Sequence, residues 1–93
     1  MKKKTVVVSN KMGLHARPAA KLVQALSGCR SNIKILKDDF EIDAKSIMGV
    51  MTLAAGYGSK LKFIVEGPDE NKVLVVIEDF FKSNFQISRS KSV

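Results

Sequence analysis

The one histidine of this chain stands two residues before an arginine, at the predicted start of a helix. His15 and Arg17 lie in the segment Gly-Leu-His-Ala-Arg-Pro-Ala at residues 13–19. The first N–H groups of a helix are unpaired and the helix dipole is positive there, so this position attracts an anion. An imidazole nitrogen is a nucleophile, and a guanidinium can bind two phosphate oxygens at once. These residues therefore indicate a site where His15 carries a phosphoryl group that Arg17 holds.

Two simpler interpretations compete with this one. A lone histidine is commonly a surface or capping residue, and an arginine in a first helical turn is commonly a solvated charge. However, a cation at the positive end of a helix, with no acid nearby in sequence, is better explained by an anion that neutralises it. We therefore favour the phosphoryl site.

Two motifs of the chain resemble those of a known family. Residues 13–19 resemble the active-site motif of the HPr family, the histidine-containing phosphocarriers of the bacterial sugar phosphotransferase system. The segment Lys-Ser-Ile-Met-Gly-Val-Met at residues 45–51 resembles the second signature of that family, at a similar separation from the first. The resemblance extends over residues 3–85.

The resemblance implies a covalent phosphoryl carrier for sugar uptake and not an independent turnover enzyme. Enzyme I, itself phosphorylated from phosphoenolpyruvate, would donate to His15, and a IIA protein or domain would accept from it. In the family the attacking atom is Nδ1, and Arg17 matches the arginine of the motif. No cofactor is expected, and a single cysteine and a single histidine at no usual spacing exclude a zinc site.

Ser46 is most simply the N-cap of a short helix. In many HPr proteins the matching serine is phosphorylated, so the resemblance implies regulation of Ser46 by an HPr kinase/phosphorylase. A phosphate adds a charge of about −1.5 to −2 and would weaken docking to acidic partners. An alternative is a purely regulatory HPr-like protein that signals through Ser46 alone, but such a protein would need neither His15 nor Arg17.

The short helix after Ser46 carries two apolar stripes, of which one small core can bury one. We expect the stripe of Val50, Leu53 and Ala54 to be buried. The other stripe would then form an exposed docking surface with adaptable methionines, comprising Ile47, Met48 and Met51. The alternative is that both stripes are core. The resemblance extends the docking surface to the exposed side of the preceding helix, at Ala16, Ala20, Lys21 and Gln24.

Apolar periodicity predicts the elements that position these residues. We predict a strand over residues 5–9, a helix over 16–27 with one buried stripe, a hairpin around Asp38-Asp39, a strand over 61–65 and a last helix N-capped by Asp69. The order βαββαβα indicates an α+β domain, and the resemblance adds an open-faced β-sandwich with a four-stranded antiparallel sheet covered on one face by three helices. Phe40 and Phe63 occupy alternating apolar positions and are predicted to be core.

Size and charge bound the remaining possibilities. The 93 residues suffice for one domain, predicted over residues 1–86, with a disordered tail over 87–93. The net charge is +7, and residues 1–37 contain nine basic side chains and no acid, which favours acidic protein partners. A nucleic-acid module of the RRM kind is the rival, but it needs exposed aromatic residues on its inner strands. One cysteine and the lack of a leader or membrane-length apolar segment favour the cytoplasm, with no membrane insertion.

Overall fold

The computed structural model of the chain describes residues 1–9, 11–53 and 55–83. Strands and helices follow one another along these residues in the predicted order βαββαβα. The strands are β1 (Lys2–Val7), β2 (Asn32–Lys37), β3 (Phe40–Asp43) and β4 (Lys60–Glu66), and the helices are α1 (Ala16–Ser27), α2 (Ile47–Thr52) and α3 (Glu70–Lys82). The predicted domain end at residue 86 and the predicted disordered tail over 87–93 lie outside the described residues and stay predictions.

The four strands form one antiparallel sheet in the order β1, β4, β2, β3. Alternate strand residues are buried beneath the helices, and the residues between them face away from the helices. The largest fully buried side chains are Phe63, Phe80, Leu22, Leu26, Ile33, Ile35, Leu61, Ile77, Val8, Val50, Val65 and Val73. The predicted fold class, a four-stranded antiparallel sheet with three helices, is confirmed.

The helix α1 begins and ends where its periodicity predicts. Its predicted buried stripe of Ala19, Leu22, Val23 and Leu26 lies in the core, joined by Pro18. Pro18 costs the helix little because its missing N–H falls in the first turn, where N–H groups have no intrahelical partner.

The first strand begins earlier and ends earlier than predicted. It runs from Lys2, paired with Val65, to Val7, paired with Lys60. A run of lysines has no apolar alternation, so the sequence pattern does not indicate a strand there. The edge strand tolerates lysines on both faces, because Lys3 stays in water on the face without helices and Lys4, on the helix side, pairs with Glu78 of α3 at 3.6 Å.

The prediction that Phe40 belongs to the core is wrong, since its side chain is 66% exposed. Phe40 pairs with Lys37 and closes the two-residue Asp38-Asp39 turn, in which Asp38 has a φ of 55°. Alternation puts Phe40 on the same side of β3 as the partly buried Ile42. However, Phe40 stands at the tip of the hairpin, away from the centre of the core. Alternation thus predicted its face of the sheet but not its distance from the helices.

Asp69 precedes α3 as predicted, but its side chain makes no capping hydrogen bond. Its carboxylate instead accepts hydrogen bonds from the Arg30 backbone N–H at 2.8 Å and from the Ser31 hydroxyl. These two hydrogen bonds, the backbone one foremost, lower the pKa of the Asp69 carboxyl. Asp69 therefore ties the start of α3 to the segment that leads into β2.

Candidate functional site

His15 is the N-cap residue of α1, with extended backbone angles of φ −89° and ψ −166°. Its carbonyl oxygen accepts a hydrogen bond from the Ala19 N–H at 2.9 Å, which begins the helical hydrogen bonding. The imidazole is exposed and makes no capping hydrogen bond. The ring of His15 is therefore accessible to a partner at the beginning of the helix.

The loop before His15 is fixed by a contact with the segment after α2. The buried Leu14 donates its N–H to the Ala55 carbonyl oxygen at 2.7 Å. Gly13 has a φ of +74°, and a Cβ at this position would lie 2.7 Å from the same oxygen. Only glycine fits this backbone conformation and this close approach without strain. Sequence reasoning did not find Ala55, because nothing in the local pattern shows that its carbonyl meets Leu14.

The first turn of α1 contains backbone N–H groups that have no partner within the helix. Pro18 has no N–H and the Ala19 N–H is paired with His15, so Ala16 and Arg17 carry the first-turn N–H groups without an intrahelical partner. The Arg17 side chain is exposed and forms no hydrogen bond or ion pair with the residues that the structure describes. Two backbone donors and one guanidinium thus belong to the two residues that follow His15, and none of them has a hydrogen-bond or ion-pair partner among the described residues.

An open cavity lies beside His15 and links it to α2. Its volume is about 370 Å³, and it is lined by Met12, Leu14, His15, Ala16, Met51, Ala55 and Gly56. Met51 from the predicted docking stripe therefore borders the same cavity as the predicted nucleophile. Met12 is a lining residue that sequence reasoning missed, because a single methionine in a turn carries no recognisable pattern.

Ser46 is the N-cap of α2, as predicted. Its side-chain oxygen accepts a hydrogen bond from the Gly49 N–H at 3.1 Å. The preceding residue adds a contact that was not predicted, because the Lys45 ammonium donates to the Cys29 carbonyl oxygen at 2.7 Å. Lys45 thereby connects the start of α2 to the segment that follows α1.

The apolar stripes of α2 separate as predicted. Val50 and Leu53 are buried, whereas Ile47, Met48 and Met51 are 44%, 73% and 42% exposed. The alternative that both stripes are core is therefore wrong. Ala54, the third member of the predicted buried stripe, lies outside the described residues.

The exposed side of α1 lies beside this stripe. Helices α1 and α2 pack against each other, and Ala16 borders the same cavity as Met51. The residues predicted to dock partners are exposed at Ala16 and Gln24 and half-buried at Ala20 and Lys21. The seven predicted docking residues thus lie on two neighbouring helices.

Within the described residues, no group of three or more His, Cys, Asp or Glu side chains is placed to hold a metal ion. No helix within residues 1–9, 11–53 and 55–83 has the length and apolar character to cross a membrane.

Comparisons with known proteins agree with the motifs. A family model described as "PTS HPr component phosphorylation site" matches residues 2–83. Phosphocarrier protein HPr of Treponema pallidum is 53% identical over 83 residues, which cover 89% of this chain and 94% of the relative. HPr-like protein Crh of Halalkalibacterium halodurans is 45% identical over 82 residues, covering 88% and 98%. The crystal structure of HPr-C-His from Thermoanaerobacter tengcongensis matches with a TM-score of 0.87 and 44% identity, covering 91% of this chain and 96% of that one.

Proposed function

This chain belongs to the HPr family of phosphocarriers of the bacterial phosphotransferase system, and from that premise we propose that it accepts a phosphoryl group on His15 from phospho-enzyme I and passes it to IIA proteins or domains for sugar uptake. One observation carries the proposal most directly. The exposed imidazole of His15 stands at the N-cap of α1, two residues along the chain before an exposed Arg17 whose guanidinium has no partner among the described residues. In this role the chain is a carrier and not an independent enzyme, and it works in the cytoplasm with enzyme I.

The proposed transfer forms one phosphorus–nitrogen bond as another breaks. A ring nitrogen of His15, Nδ1 by the family resemblance, attacks the phosphorus of phospho-enzyme I in line, and the histidine of enzyme I leaves with the bonding electron pair. Negative charge is spread over the three remaining phosphoryl oxygens. Arg17 and the N–H groups of Ala16 and Arg17 are the donors of this chain that would neutralise that charge.

The second transfer reverses these roles. A nucleophilic side chain of the IIA component attacks the same phosphorus, and the His15 nitrogen leaves. The phosphorylated His15 must therefore be stable enough to form but not so stable that transfer to the IIA component is prevented. An exposed site at a helix start suits this requirement, because both partners can reach the phosphorus from solvent.

Enzyme I and the IIA component would dock on one surface next to His15. On α2 this surface comprises Ile47, Met48 and Met51, and on α1 it comprises Ala16, Ala20, Lys21 and Gln24. Flexible methionine side chains can repack against partners of different shape. Because Met51 and His15 border the same cavity, a partner on this surface would bring its reactive group close to the imidazole.

Ser46 would regulate this docking as the substrate of an HPr kinase/phosphorylase. Its oxygen already lies at the N-terminal end of α2, where a phosphate group is electrostatically tolerated. The added negative charge would stand next to Ile47 and Met48 and would repel an acidic partner. We therefore expect phosphorylation of Ser46 to reduce partner binding with little change of fold.

Intact-protein mass spectrometry tests the carrier function. The chain is incubated with enzyme I, phosphoenolpyruvate and magnesium at neutral to alkaline pH, beside His15→Ala and a standard HPr that controls for active enzyme I. The proposal predicts one acid-labile phosphate on the natural chain and none on the variant. An unmodified natural chain beside a phosphorylated standard would instead favour the purely regulatory protein acting through Ser46.

A further inference from the structure

The face of the sheet that carries no helix presents a cluster of lysines. The strand register places Lys62 of β4 diagonally next to Lys3 of β1 and Lys34 of β2, and Lys60 stands two residues away on the same strand. Diagonal neighbours on a sheet are about 7–8 Å apart, and alternate residues of one strand are about 7 Å apart. The nearest charged neighbours of Lys62 on this face are therefore three other lysines.

The cations of this cluster are mostly not neutralised by the protein itself. Lys34 pairs with Glu41 at 3.1 Å. Lys3, Lys60 and Lys62 are exposed and form no ion pair with any residue in the described part of the chain. Glu66, at the end of β4 on the same face, is a diagonal neighbour of Lys3, so three lysines stand against one acid and the half of the face formed by β1 and β4 keeps a net positive charge.

Protection of a sheet edge does not account for this pattern. Lysines on edge strands hinder unwanted pairing with other chains, which explains Lys3 on β1. However, Lys60 and Lys62 belong to β4, which is paired with β1 on one side and β2 on the other. A central strand has no free edge to protect, so these two lysines need another explanation.

Apolar groups lie among these cations. Val7 is 51% exposed on β1, and Ile64 is half-buried on β4, next to Lys62 along the outward-facing row. We name this surface the open β1/β4 face, defined by Lys3, Thr5, Val7, Lys60, Lys62 and Ile64. It combines three cations with two separate apolar side chains, because Val7 lies opposite Lys60 and Ile64 lies opposite Lys3, on either side of the central row of Thr5 and Lys62.

We propose that the open β1/β4 face docks an acidic amphipathic helix of a partner protein. The backbone groups of β4 are already paired on both sides, so an extended segment laid across this face would find no hydrogen-bond partners. A helix satisfies its own backbone, and its diameter of about 10–12 Å covers about two strands. Carboxylates at i and i+4 of a helix are about 6 Å apart, close to the spacing of Lys60 and Lys62.

Other anionic partners fit this face less well. Single-stranded nucleic acid needs aromatic side chains for stacking, and the open β1/β4 face has none. Insertion into a lipid surface needs an apolar face that reaches about 5–10 Å into the headgroup boundary. Val7 and the half-buried Ile64 lie in a flat sheet and do not project that far.

This docking site lies on the opposite side of the sheet from the helices. A partner bound there leaves His15 and the exposed stripe of α2 free, so a second partner can bind on the helix side at the same time. The inference does not rest on phosphoryl transfer, because it uses only the charge and register of β1 and β4.

NMR titration of the full-length ¹⁵N-labelled chain tests the proposal. The probe is a synthetic helical peptide of about 20 residues, with Glu at i and i+4 on one side and Leu between them. We expect saturable shifts of amides on β1 and β4 at about 0.15 M salt, weakened by more salt. The double variant K60Q/K62Q should lower the affinity about tenfold, whereas the charge-matched control K72Q/K82Q on α3 should lower it less than twofold.

Three kinds of result would overturn the proposal, and one control accompanies them. Equal losses in the two double variants would mean nonspecific attraction by net charge. Shifts centred on α1 and α2 would place the peptide on the other side of the molecule. Tighter binding of phosphatidylserine vesicles, or of a single-stranded oligonucleotide, to the same face would identify a lipid or a nucleic acid as the occupant. Unchanged circular dichroism and phosphoryl acceptance of K60Q/K62Q would exclude misfolding as the cause of a loss.

Discussion

Replacement of Gly13 by alanine tests how the loop before His15 is held. The structure assigns two separate costs to this change. Gly13 has a φ of +74°, which strains any residue with a side chain, and the added Cβ would lie 2.7 Å from the Ala55 carbonyl oxygen. That oxygen accepts the Leu14 N–H, so relief of the contact must stretch or break this hydrogen bond.

Two other glycines separate these costs. Gly58 has a φ of +86° but open space around the added methyl group, so Gly58→Ala carries only the backbone strain. Gly28 has a φ of −84° and open space as well, so Gly28→Ala carries neither cost. The three variants therefore form a graded series in one chain.

The expected magnitudes follow from general values. Left-handed backbone costs a residue with a side chain about 1–2 kcal/mol, and a buried N–H left without a partner costs about 1–3 kcal/mol. Lower entropy of the unfolded chain returns about 0.4–1 kcal/mol in each variant. We expect Gly28→Ala to raise the free energy of unfolding by about 0.4–1 kcal/mol, Gly58→Ala to lower it by about 0.5–1 kcal/mol and Gly13→Ala to lower it by about 2–4 kcal/mol.

Urea denaturation of the three variants measures these differences. At this size 1 kcal/mol corresponds to about 4–8 °C in Tm, so Gly13→Ala should melt about 10 °C or more below the natural chain. Phosphoryl acceptance by Gly13→Ala should also slow at a temperature where the chain is folded, because the His15 backbone shifts with the loop. Equal destabilisation in Gly13→Ala and Gly58→Ala would refute the role of the Ala55 contact.

Four further predictions concern the site and its supports. Arg17→Ala should slow phosphoryl acceptance about 100-fold in stopped assays with limiting enzyme I, whereas Arg30→Ala, a control at an exposed arginine outside the docking surface, should change it less than threefold. Similar rates for the two variants would remove Arg17 from the site. Ser46→Ala should lower the free energy of unfolding by about 1 kcal/mol, because the helix cap is lost. Ser46→Asp should keep the free energy of unfolding but weaken the binding of enzyme I. Unchanged binding of enzyme I to Ser46→Asp in calorimetry would contradict the proposed switch. Met48→Asp should weaken binding of enzyme I about tenfold with unchanged urea midpoint, since the side chain is exposed, and full binding would exclude Met48 from the docking surface. The pKa of Asp69 is lowered on folding, so its contribution to stability is complete above the unfolded-state pKa of about 4 and is lost as pH falls through the lower folded-state pKa. Between pH 5 and 2, the urea midpoint of Asp69→Asn should therefore fall less steeply than that of the natural chain. Parallel curves for the two proteins would contradict this.

Local patterns were sufficient for much of the fold and of the candidate site. The 3.6-residue period placed the stripe of Leu22 and Leu26 in the core, because a helix exposes one face to water and buries the other. The position of Ser46 before an apolar run predicted its cap, which depends only on the next three residues. The start of α1 at His15 followed from the same kind of local signal.

Two features that the sequence did not predict depend on contacts between distant residues. Asp69 has the residue type and position of a cap, but Arg30 and Ser31 compete for its carboxylate across 38 or 39 residues of sequence. The Ala55 carbonyl holds Leu14 in the same way, from beyond α2. The sequence pattern does not predict such contacts, because they form only when the helices and strands pack together.

Relay of one phosphate through the isolated chain tests the central claim most directly. The chain is phosphorylated with enzyme I and phosphoenolpyruvate, separated from both at alkaline pH, and then mixed with a purified IIA protein while intact masses of both are followed. The account predicts that one phosphate leaves His15 and appears on the IIA protein, with no transfer when His15→Ala is carried through the same steps. A phosphate that stays on the chain, or that moves equally well through His15→Ala, would contradict it.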